Sequence, residues 1–332
     1  MTEQGKLQKR SVPETLRHVW QNYNFILVFL VILLVFLYVN GSATTWTSIT
    51  NIFLHSAILG TIALGMRLIV LTGDIDLSVG SSFVFVGGLA ILVFNATDSI
   101  LLMGISAVVL GGACGLANGL LVGKLHMPPF IVTLASMLIL RSVSQYMMNE
   151  MGETRYSVDA TLSSYPALFD LGNGSVLTIS NLAWIFWLIA ALLVYVTTST
   201  KFGKRLYALG SNEKAAGFAG INVELTRVLV FVLCGLLVGV AAFLKIAKDT
   251  SFDPATSGRN FELYAIAAVV IGGISMSGGR GKIAGVVFGT MSFTLIDKII
   301  TAMGMNALLN DSVKGLILLV AVGLQMFKKR SK

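Results

Sequence analysis

Long apolar runs recur along this chain, and they constrain its fold more than any other feature. A helix that crosses a bilayer needs about 20 mostly apolar residues, or somewhat fewer when aromatic or basic residues anchor its ends. Ten runs meet this requirement: 25–39, 52–72, 78–94, 100–123, 128–147, 182–199, 227–247, 261–276, 282–301 and 307–326. Because lipid satisfies no backbone polar group, such segments span as helices. The sequence predicts an all-α, polytopic transmembrane helical bundle of about ten spans.

The composition excludes other classes of protein. Only 12% of the 332 residues are charged, about half of the roughly 25% typical of soluble domains. The net charge of +8 does not indicate nucleic acid as a partner, because the basic residues lie in short loops between apolar runs. Cys114 and Cys234 lie inside apolar runs, and neither they nor the histidines have the spacing of metal ligands. We therefore expect no disulfide and no metal site.

The distribution of Lys and Arg predicts that both termini are cytoplasmic. Sixteen of these residues fall on the side of the termini and five on the other side, and cytoplasmic loops carry the excess of positive charge. The predicted parts are a cytoplasmic segment 1–24, a single transmembrane domain 25–327 and a cytoplasmic tail 328–332. Two long loops, 148–181 outside and 200–226 inside, are either contact sites for other proteins or solvated connectors.

Glycines repeat at intervals of four in three of the predicted spans. Small residues allow helices in a membrane to approach closely. The glycines are Gly111, Gly115, Gly119 and Gly123 in the fourth span, Gly235 and Gly239 in the seventh, and Gly281, Gly285 and Gly289 in the ninth. The pattern favours helix packing inside one subunit, with a contact between subunits as the alternative.

Two glycine-rich junctions, 73–80 and 272–279, interrupt the apolar pattern. Their residues match at a constant offset of 199, so that Gly73 corresponds to Gly272. Paired interruptions are typical of transporters with internal repeats. Asp74 and Asp76 lie in the first junction; a carboxylate at membrane depth is usually functional, whereas at a membrane edge it often caps a helix.

Polar residues within or beside the spans are candidates for the route of a solute. They are Asp74, Asp76, Ser78, Asn118, Arg141, Gln145, Ser275 and Ser277, together with Arg67. Such side chains line a pathway or satisfy backbone groups where helices break, and the sequence leaves both interpretations open.

A short helix is predicted within the inward segment 201–221. Ser211 or Asn212 can cap its start, Glu213 suits the positive end of its dipole, and Gly220 can end it in a left-handed conformation. About two turns are unstable alone in water, which favours a partner that holds the helix over a plain surface turn. The predicted contact residues are Ser211, Asn212, Glu213, Lys214, Ala215, Ala216, Phe218, Gly220 and Ile221.

Four stretches together resemble the ribose/xylose/arabinose-type permeases of ABC importers. They are LTGDIDLSVGS at 71–81, PFIVTL at 129–134, the stretch 202–221, and AIAAVVIGG at 265–273 continuing to Gly281. They occur in the family's order and span about residues 50–325. Two residues depart from the family pattern: Ser211 replaces a usual glycine, and Asp74 replaces glycine or another small residue.

The resemblance implies a permease of the bacterial inner membrane that imports a monosaccharide by alternating access. Its partners would be a second copy or a related permease, an ABC ATP-binding subunit, and a periplasmic sugar-binding protein. Residues 211–220 would form the coupling helix that docks on the ATPase. ATP and Mg²⁺ would bind to the ATPase subunit, so we expect no cofactor in this chain. Consistent with that division, Gly119–Lys124 is one residue short of a Walker A sequence and lacks its Ser or Thr.

Two other functions remain as alternatives. An ion-coupled secondary transporter of a small polar solute usually has carboxylates or broken helices near mid-membrane, whereas the acidic residues here cluster near the ends of the predicted spans. An intramembrane enzyme needs a convergent nucleophile or metal set, and the sequence has no such arrangement. We therefore expect a transport subunit rather than an enzyme.

Overall fold

Helices form almost all of the regular structure in the computed structural model, which describes residues 12–306 and 309–330. They are α1 (Val12–Asn40), α2 (Trp46–Leu71), α3 (Val79–Thr97), α4 (Ile100–Gly123), α5 (Pro129–Glu150), α6 (Tyr165–Asn173), α7 (Asn181–Ser199), α8 (Lys201–Ser211), α9 (Glu213–Phe218), α10 (Val223–Asp249), α11 (Phe261–Ile271), α12 (Ile283–Ala302) and α13 (Asn310–Arg330). The all-α prediction is confirmed.

Four two-residue strands complete the described elements. β1 (Tyr156–Ser157) pairs antiparallel with β4 (Ser251–Phe252), and β2 (Ser175–Val176) pairs antiparallel with β3 (Ile179–Ser180). All four lie at the end of the bundle that carries the predicted outer loop. We call this the outer end, and the end that carries 201–221 the inner end, following the predicted orientation.

Eight of the predicted spans are helical segments of 19 to 27 residues that are apolar enough to cross a membrane. The predicted eighth span, 261–276, is different, because α11 has only 11 residues and ends at Ile271. The predicted tenth span coincides with α13, although residues 307–308 lie outside the described part. Half of the predicted N-terminal segment is helical, since α1 starts at Val12; residues 1–11, and 331–332 of the predicted tail, lie outside the described residues.

Local capping explains why α2 starts earlier than its apolar run. The Thr45 hydroxyl accepts a hydrogen bond from the Ser48 amide at 3.2 Å, and the Ser48 hydroxyl accepts one from the Thr45 amide at 3.3 Å. This capping box satisfies amides that a helix start otherwise leaves unpaired. The helix therefore extends through polar residues at its outer end before its buried part begins.

The core is built around α2, which is apolar on all sides. Its central residues, including Ile62, Leu64 and Leu68, are fully buried, as expected for a helix surrounded by others. Helices α7, α10, α11 and α12 all pack against it. These contacts hold α2 in place, and the candidate site begins at its inner end.

The glycine stripe of α4 packs inside the subunit, as favoured from the sequence. A Cβ at Gly111 would collide with the carbonyl oxygen of Gly235, and one at Gly115 with that of Phe231. Further along the same contact, Gly119 and Gly123 lie against Val228, and Gly235 and Gly239 lie against the backbone of α4. The stripe thus sets the close approach of α4 and α10.

The prediction for the ninth span is wrong for one glycine. Gly285 and Gly289 lie in α12 and approach the carbonyl oxygens of Gly272 and Ala268 in the preceding segment. Gly281, however, precedes the helix and has a φ of +142°. It is a junction residue, because only glycine adopts this backbone conformation without strain.

A non-helical segment between α10 and α11 runs back into the bundle. The ring of Phe252 lies against Gly87 in the middle of α3, and Gly258 lies against Gly80 at the inner start of the same helix. The chain therefore descends along α3 before α11 begins at Phe261. This descent explains why α11 is too short to span a bilayer alone.

Candidate functional site

Both glycine-rich junctions begin with the same helix ending. At the end of α2, the Gly73 amide donates to the Val70 carbonyl, and the Asp74 amide donates to the Ile69 carbonyl. At the end of α11, Gly273 and Ile274 donate to Val270 and Val269 in the same pattern. Gly73 and Gly273 have φ values of +85° and +79°. Each is a Schellman ending, in which a left-handed glycine closes the helix.

The structural offset between the junctions is therefore 200 rather than 199. The sequence match at 199 aligned Gly73 with Gly272, but Gly272 has a right-handed φ of −66°. Two glycine-rich sequences can match almost equally well when their alignment is shifted by one residue. The backbone conformation fixes the correct correspondence, which pairs Gly73 with Gly273.

The two junctions meet at the inner end, where they also contact α8. We call residues 71–78, starting with the last residue of α2, the first junction and 272–282 the second junction. The Gly279 amide donates to the carbonyl oxygen of Leu71 at 2.9 Å. Gly210, near the end of α8, is so close that a Cβ there would collide with the same Leu71 oxygen. The 201–221 segment therefore touches both junctions at one point.

Arg227 connects the first junction to α9 through charge. Its Nε donates to Oδ2 of Asp74 at 2.9 Å, and its Nη2 donates to Oε2 of Glu213 at 3.0 Å. Asp74 Oδ2 also accepts from the Thr72 hydroxyl at 3.0 Å. The exposed fractions of the Asp74 and Arg227 side chains are 7% and 13%, whereas that of Glu213 is 52%. Burial raises the pKa of the Asp74 carboxyl, and the Arg227 charge acts in the opposite direction.

Arg67 forms a second connection, between α2, α8 and the second junction. This fully buried side chain donates from Nη2 to the Tyr207 hydroxyl at 2.6 Å and to the Gly281 carbonyl at 3.2 Å. The Tyr207 hydroxyl in turn donates to the Gly281 carbonyl at 2.8 Å. A buried charge is costly unless it is paired, and within the described chain its Nε and Nη1 have no hydrogen-bond partner. The sequence placed Arg67 among the polar candidates and missed Tyr207.

A third network runs from the first junction into α4 and α5. The buried Asp76 carboxylate accepts from the Ser78 hydroxyl at 2.6 Å, and Ser78 Oγ accepts from the Asn118 amide at 2.9 Å. Asn118 Oδ1 then accepts from the Ser136 hydroxyl at 2.6 Å. Three predicted path residues, Asp76, Ser78 and Asn118, thus form one hydrogen-bonded chain. The Asp76 carboxyl also accepts from the Ser78 amide at 2.8 Å, so it supports the start of α3.

The remaining predicted path residues lie in separate places. Arg141 donates to the carbonyl oxygens of Pro254 at 2.9 Å and Ser257 at 2.7 Å, so it holds the descending segment against α5. Gln145 is exposed on the surface of α5. Ser275 bonds within the second junction, where its hydroxyl accepts from the Ser277 amide at 3.3 Å. Of the two open interpretations, satisfaction of backbone groups fits Arg141 best.

The short helix predicted in the inward loop exists as α9. The Asn212 side chain caps it by accepting from the Ala215 amide at 3.0 Å, whereas Ser211 is the last residue of α8. Gly220 ends it with a φ of +79°, and the Ile221 amide donates to the Ala216 carbonyl. Of its side chains, Ala216 is buried, and the Phe218 ring is 93% exposed.

A shallow groove of about 380 Å³ lies beside the exposed face of α9. Its walls contain Lys214, Gly217 and Phe218 of α9, together with His126 and Glu224. A helix of six residues is unstable alone in water, and the exposed Phe218 ring leaves apolar surface on α9 that a partner could cover. Lys214 and Ala215 are exposed as well.

Comparison with known proteins decides the family. The profile of a family described as "Branched-chain amino acid transport system / permease component" matches residues 48–322. The ribose import permease protein RbsC of Escherichia coli (strain K12) is 34% identical to this chain, covering 84% of the chain and 85% of that protein. The chain belongs to the ribose/xylose/arabinose-type permease family of ABC importers. The family recognised from the sequence motifs is thereby confirmed.

Other relatives agree with this assignment. The RbsC protein of Bacillus subtilis (strain 168) is 35% identical over 90% of the chain and 89% of that protein. The L-arabinose ABC transporter permease protein AraH of Azospirillum brasilense is 32% identical over 95% of the chain and 91% of that protein. No solved structure matches this chain. The protein is a multi-pass permease of the inner membrane.

Proposed function

We propose that this chain is the membrane-spanning subunit of an ATP-driven importer and carries a monosaccharide, a pentose or a hexose, by alternating access. The family profile is described by branched-chain amino acid transport, but the relatives that cover most of the chain are named for ribose and L-arabinose. Sugar is therefore the better supported substrate class.

The contact of Arg227 with both Glu213 and Asp74 is the observation that carries the proposal. Glu213 belongs to the exposed helix α9, and Asp74 belongs to the first junction at the end of α2. A partner that displaces α9 therefore pulls directly on the first junction. The Arg67–Tyr207 pair and the contact of Gly210 with Leu71 supply a parallel connection through α8. Displacement of α9, together with α8, would thus be transmitted to both junctions.

The proposed partner at α9 is the ATP-binding subunit, which holds ATP and Mg²⁺ and hydrolyses the nucleotide. This chain supplies the docking surface: the exposed Phe218 ring, the capped start of α9 at Asn212, and the adjoining groove. A cleft on the ATPase that covers Phe218 would give the short helix the tertiary support that its length requires. A sugar-binding protein at the outer end would deliver the substrate.

A second permease, either a copy of this chain or a relative, is proposed to face α5. The exposed stripe of α5 is apolar near the inner end but becomes polar toward the outer end, at Ser142, Gln145 and Asn149. Polar side chains in a spanning helix usually face protein or a water-filled cavity. A route between two permeases would give this stripe an aqueous environment.

Reconstitution tests the proposal. Proteoliposomes that contain the permease and its ATP-binding subunit, with the sugar-binding protein added, should take up radiolabelled D-ribose or L-arabinose only when ATP is supplied. The mass of the purified assembly should correspond to two permease chains. Sugar uptake by the permease alone, driven by an ion gradient, would contradict the proposal and favour a secondary transporter.

A further inference from the structure

A cavity of about 550 Å³ lies near the outer end of the bundle, among α1, α2, α11, α12 and α13. We call it the outer cavity. Asn40 in its wall is the last residue of α1, and Lys298 and Lys314 lie about one turn from the outer ends of α12 and α13. Leu59 and Phe293, which also line it, lie deeper in α2 and α12. The two lysines are therefore near the outer end, with apolar side chains below them.

Exposed aromatic residues indicate that the lysines lie close to the level of the lipid headgroups. Tyr38 of α1 and Trp46 of α2 are both exposed, and each is two positions from a residue that lines the cavity. Tyr and Trp are enriched where spanning helices meet the membrane–water interface. On α1 and α13, Leu34, Leu316 and Leu319 are exposed, as expected of helices that contact lipid. The outer cavity thus borders the lipid at headgroup depth.

The side chains that line the outer cavity carry more positive than negative charge. Lys298 and Lys314 share the lining with one carboxylate, that of Asp297, and His55 adds an imidazole. The Oδ1 atom of Asp297 lies 2.9 Å from the Lys314 ammonium and accepts from the Asn310 amide at 2.8 Å. The lining carboxylate is thus already engaged by side chains of α13.

Lys298 and Asn51 are the donors that remain for a ligand. Asp297 attracts the Lys298 ammonium, but no residue that the structure describes forms a hydrogen bond or an ion pair with it, and none bonds to the Asn51 side chain. Asp311 is not part of the lining, and its carboxylate oxygens accept from side chains near the start of α11. An ammonium and an amide that can both donate favour an anionic acceptor.

An anionic phospholipid fits each of these features. Its phosphodiester accepts hydrogen bonds and carries the charge that Lys298 lacks, and its acyl chains suit the apolar depth of the cavity. A zwitterionic headgroup would bring an ammonium group beside two lysines, where the one lining carboxylate is already paired. Basic pockets between spanning helices are known to bind anionic headgroups. A soluble anion would satisfy the lysine but would leave the apolar side chains uncovered.

We propose that the outer cavity binds the headgroup of one anionic phospholipid, with the phosphodiester held by Lys298 and Asn51 and the acyl chains against α1 and the apolar lining. The lipid would fill the space that α1 and α13 leave beside α12. This inference goes beyond the proposed function and is independent of the solute that the permease carries. The site uses helices other than α5, so it is separate from the proposed route.

Native mass spectrometry on the full-length permease, stripped of lipid in detergent, tests the selectivity. The probes are dioleoyl phosphatidylglycerol, dioleoyl phosphatidylethanolamine and soluble glycerol 3-phosphate. Phosphatidylglycerol should saturate one site about tenfold more tightly than phosphatidylethanolamine does. Lys298→Met should weaken this site about tenfold, as expected for one lost charge-assisted hydrogen bond, and Lys298→Arg should retain it. Arg155→Met, which removes an exposed positive charge of the outer loop outside the cavity, is the matched control and should bind as the wild type does.

Crosslinking locates the site in the wild-type protein and is decisive even if a variant fails to fold. Phosphatidylglycerol with a diazirine near the glycerol end of one acyl chain should label peptides of α1, α2 or α12 that border the cavity, and unlabelled phosphatidylglycerol should suppress this labelling. Equally tight binding of phosphatidylethanolamine, unchanged binding by Lys298→Met, or labelling that avoids these helices would overturn the proposal. Binding of glycerol 3-phosphate as tight as that of phosphatidylglycerol would also overturn it, and would assign the cavity to a soluble anion.

Discussion

At the scale of single residues, the contacts of Asp74 explain how a carboxylate is accommodated at a position where the family usually has a small residue. A carboxylate placed where small residues are usual would be unfavourable if it were buried alone. Here it has a specific partner in Arg227 and a second donor in Thr72. Arg227 in turn reaches Glu213 on α9. The substitution therefore introduces a charge contact between the first junction and the segment that is proposed to bind the ATPase.

Removal of Arg227 should expose the cost of the buried Asp74 charge. Arg227→Met leaves this carboxylate unpaired, and we expect a loss of about 3 kcal/mol in unfolding free energy. The double variant Arg227→Met with Asp74→Asn removes that charge as well and should recover most of the loss. Denaturant-induced unfolding of the permease in mixed micelles measures all three proteins.

The control for this cycle is Glu213→Gln. Glu213 is half-exposed, and pairs of that kind contribute about 0–1 kcal/mol. Burial raises the pKa of the Asp74 carboxyl, so its charged form is less favourable in the folded protein than in the unfolded chain. The deficit of Arg227→Met should therefore be smallest in acid and grow as the pH rises through that pKa. Equal unfolding free energies of the single and double variants would show that an unpaired Asp74 charge does not destabilise the protein.

At the scale of elements, the sequence predicted what depends on local pattern. Apolar runs located the spanning helices, and capping chemistry located α9 with its end at Gly220. The glycine spacing in α4 indicated the packing face that meets α10. Each of these depends on residues within a few turns of one another, where helical periodicity and backbone conformation leave a direct trace.

The contacts between distant segments could not be predicted in this way. Arg67 and Tyr207 are 140 positions apart, and Arg227 and Asp74 are 153 apart. Arg227 entered the sequence analysis only as a positive charge of an inner loop. The shortened α11 was also missed, because the chain that precedes it folds back along α3, and apolar periodicity does not report such a path.

Phe218 should matter to the assembly and not to the permease alone. Its ring is 93% exposed, so Phe218→Ala removes almost no internal packing and should leave the thermal stability of the isolated permease unchanged. If the ring is the central anchor on the ATP-binding subunit, the variant should weaken that complex by about 2–4 kcal/mol. Co-purification with the ATPase at matched expression, together with sugar uptake, measures the effect.

Two controls accompany Phe218→Ala. Phe169→Ala removes a partly exposed ring at the outer end and should leave ATPase binding intact. Gly220→Val should impair it, because Gly220 has a φ of +79° and β-branched residues rarely adopt that conformation. Gly315→Ala on α13 should be tolerated, since a Cβ there would meet no atom within 4 Å. If both Phe218→Ala and Gly220→Val bind the ATP-binding subunit normally, 201–221 is only a connector.

At the scale of the whole molecule, the two ends of the bundle differ in packing. At the inner end, Leu71, Gly210 and Gly279 approach backbone to backbone. At the outer end, a cavity of about 550 Å³ lies beside the first turn of the short α11. The repeated helix endings at Gly73 and Gly273 both lie at the packed end. A partner that moves α8 and α9 would act on these close backbone contacts at the inner end.

An ATP-binding subunit can reach α8 and α9 only if the inner end faces the cytoplasm, an orientation that the charge distribution predicts and labelling can test. Ala160 is exposed in the outer loop, and Lys204 is exposed on α8. In a variant that lacks Cys114 and Cys234, Ala160→Cys should react with a membrane-impermeant thiol reagent in spheroplasts. Lys204→Cys should react only after the membrane is opened. The sixteen-to-five excess of basic residues predicts that α8 lies in the cytoplasm, where an ATP-binding subunit has access to nucleotide. Reaction of Lys204→Cys in sealed spheroplasts would invert the bundle, and α9 would then face away from any cytoplasmic ATPase.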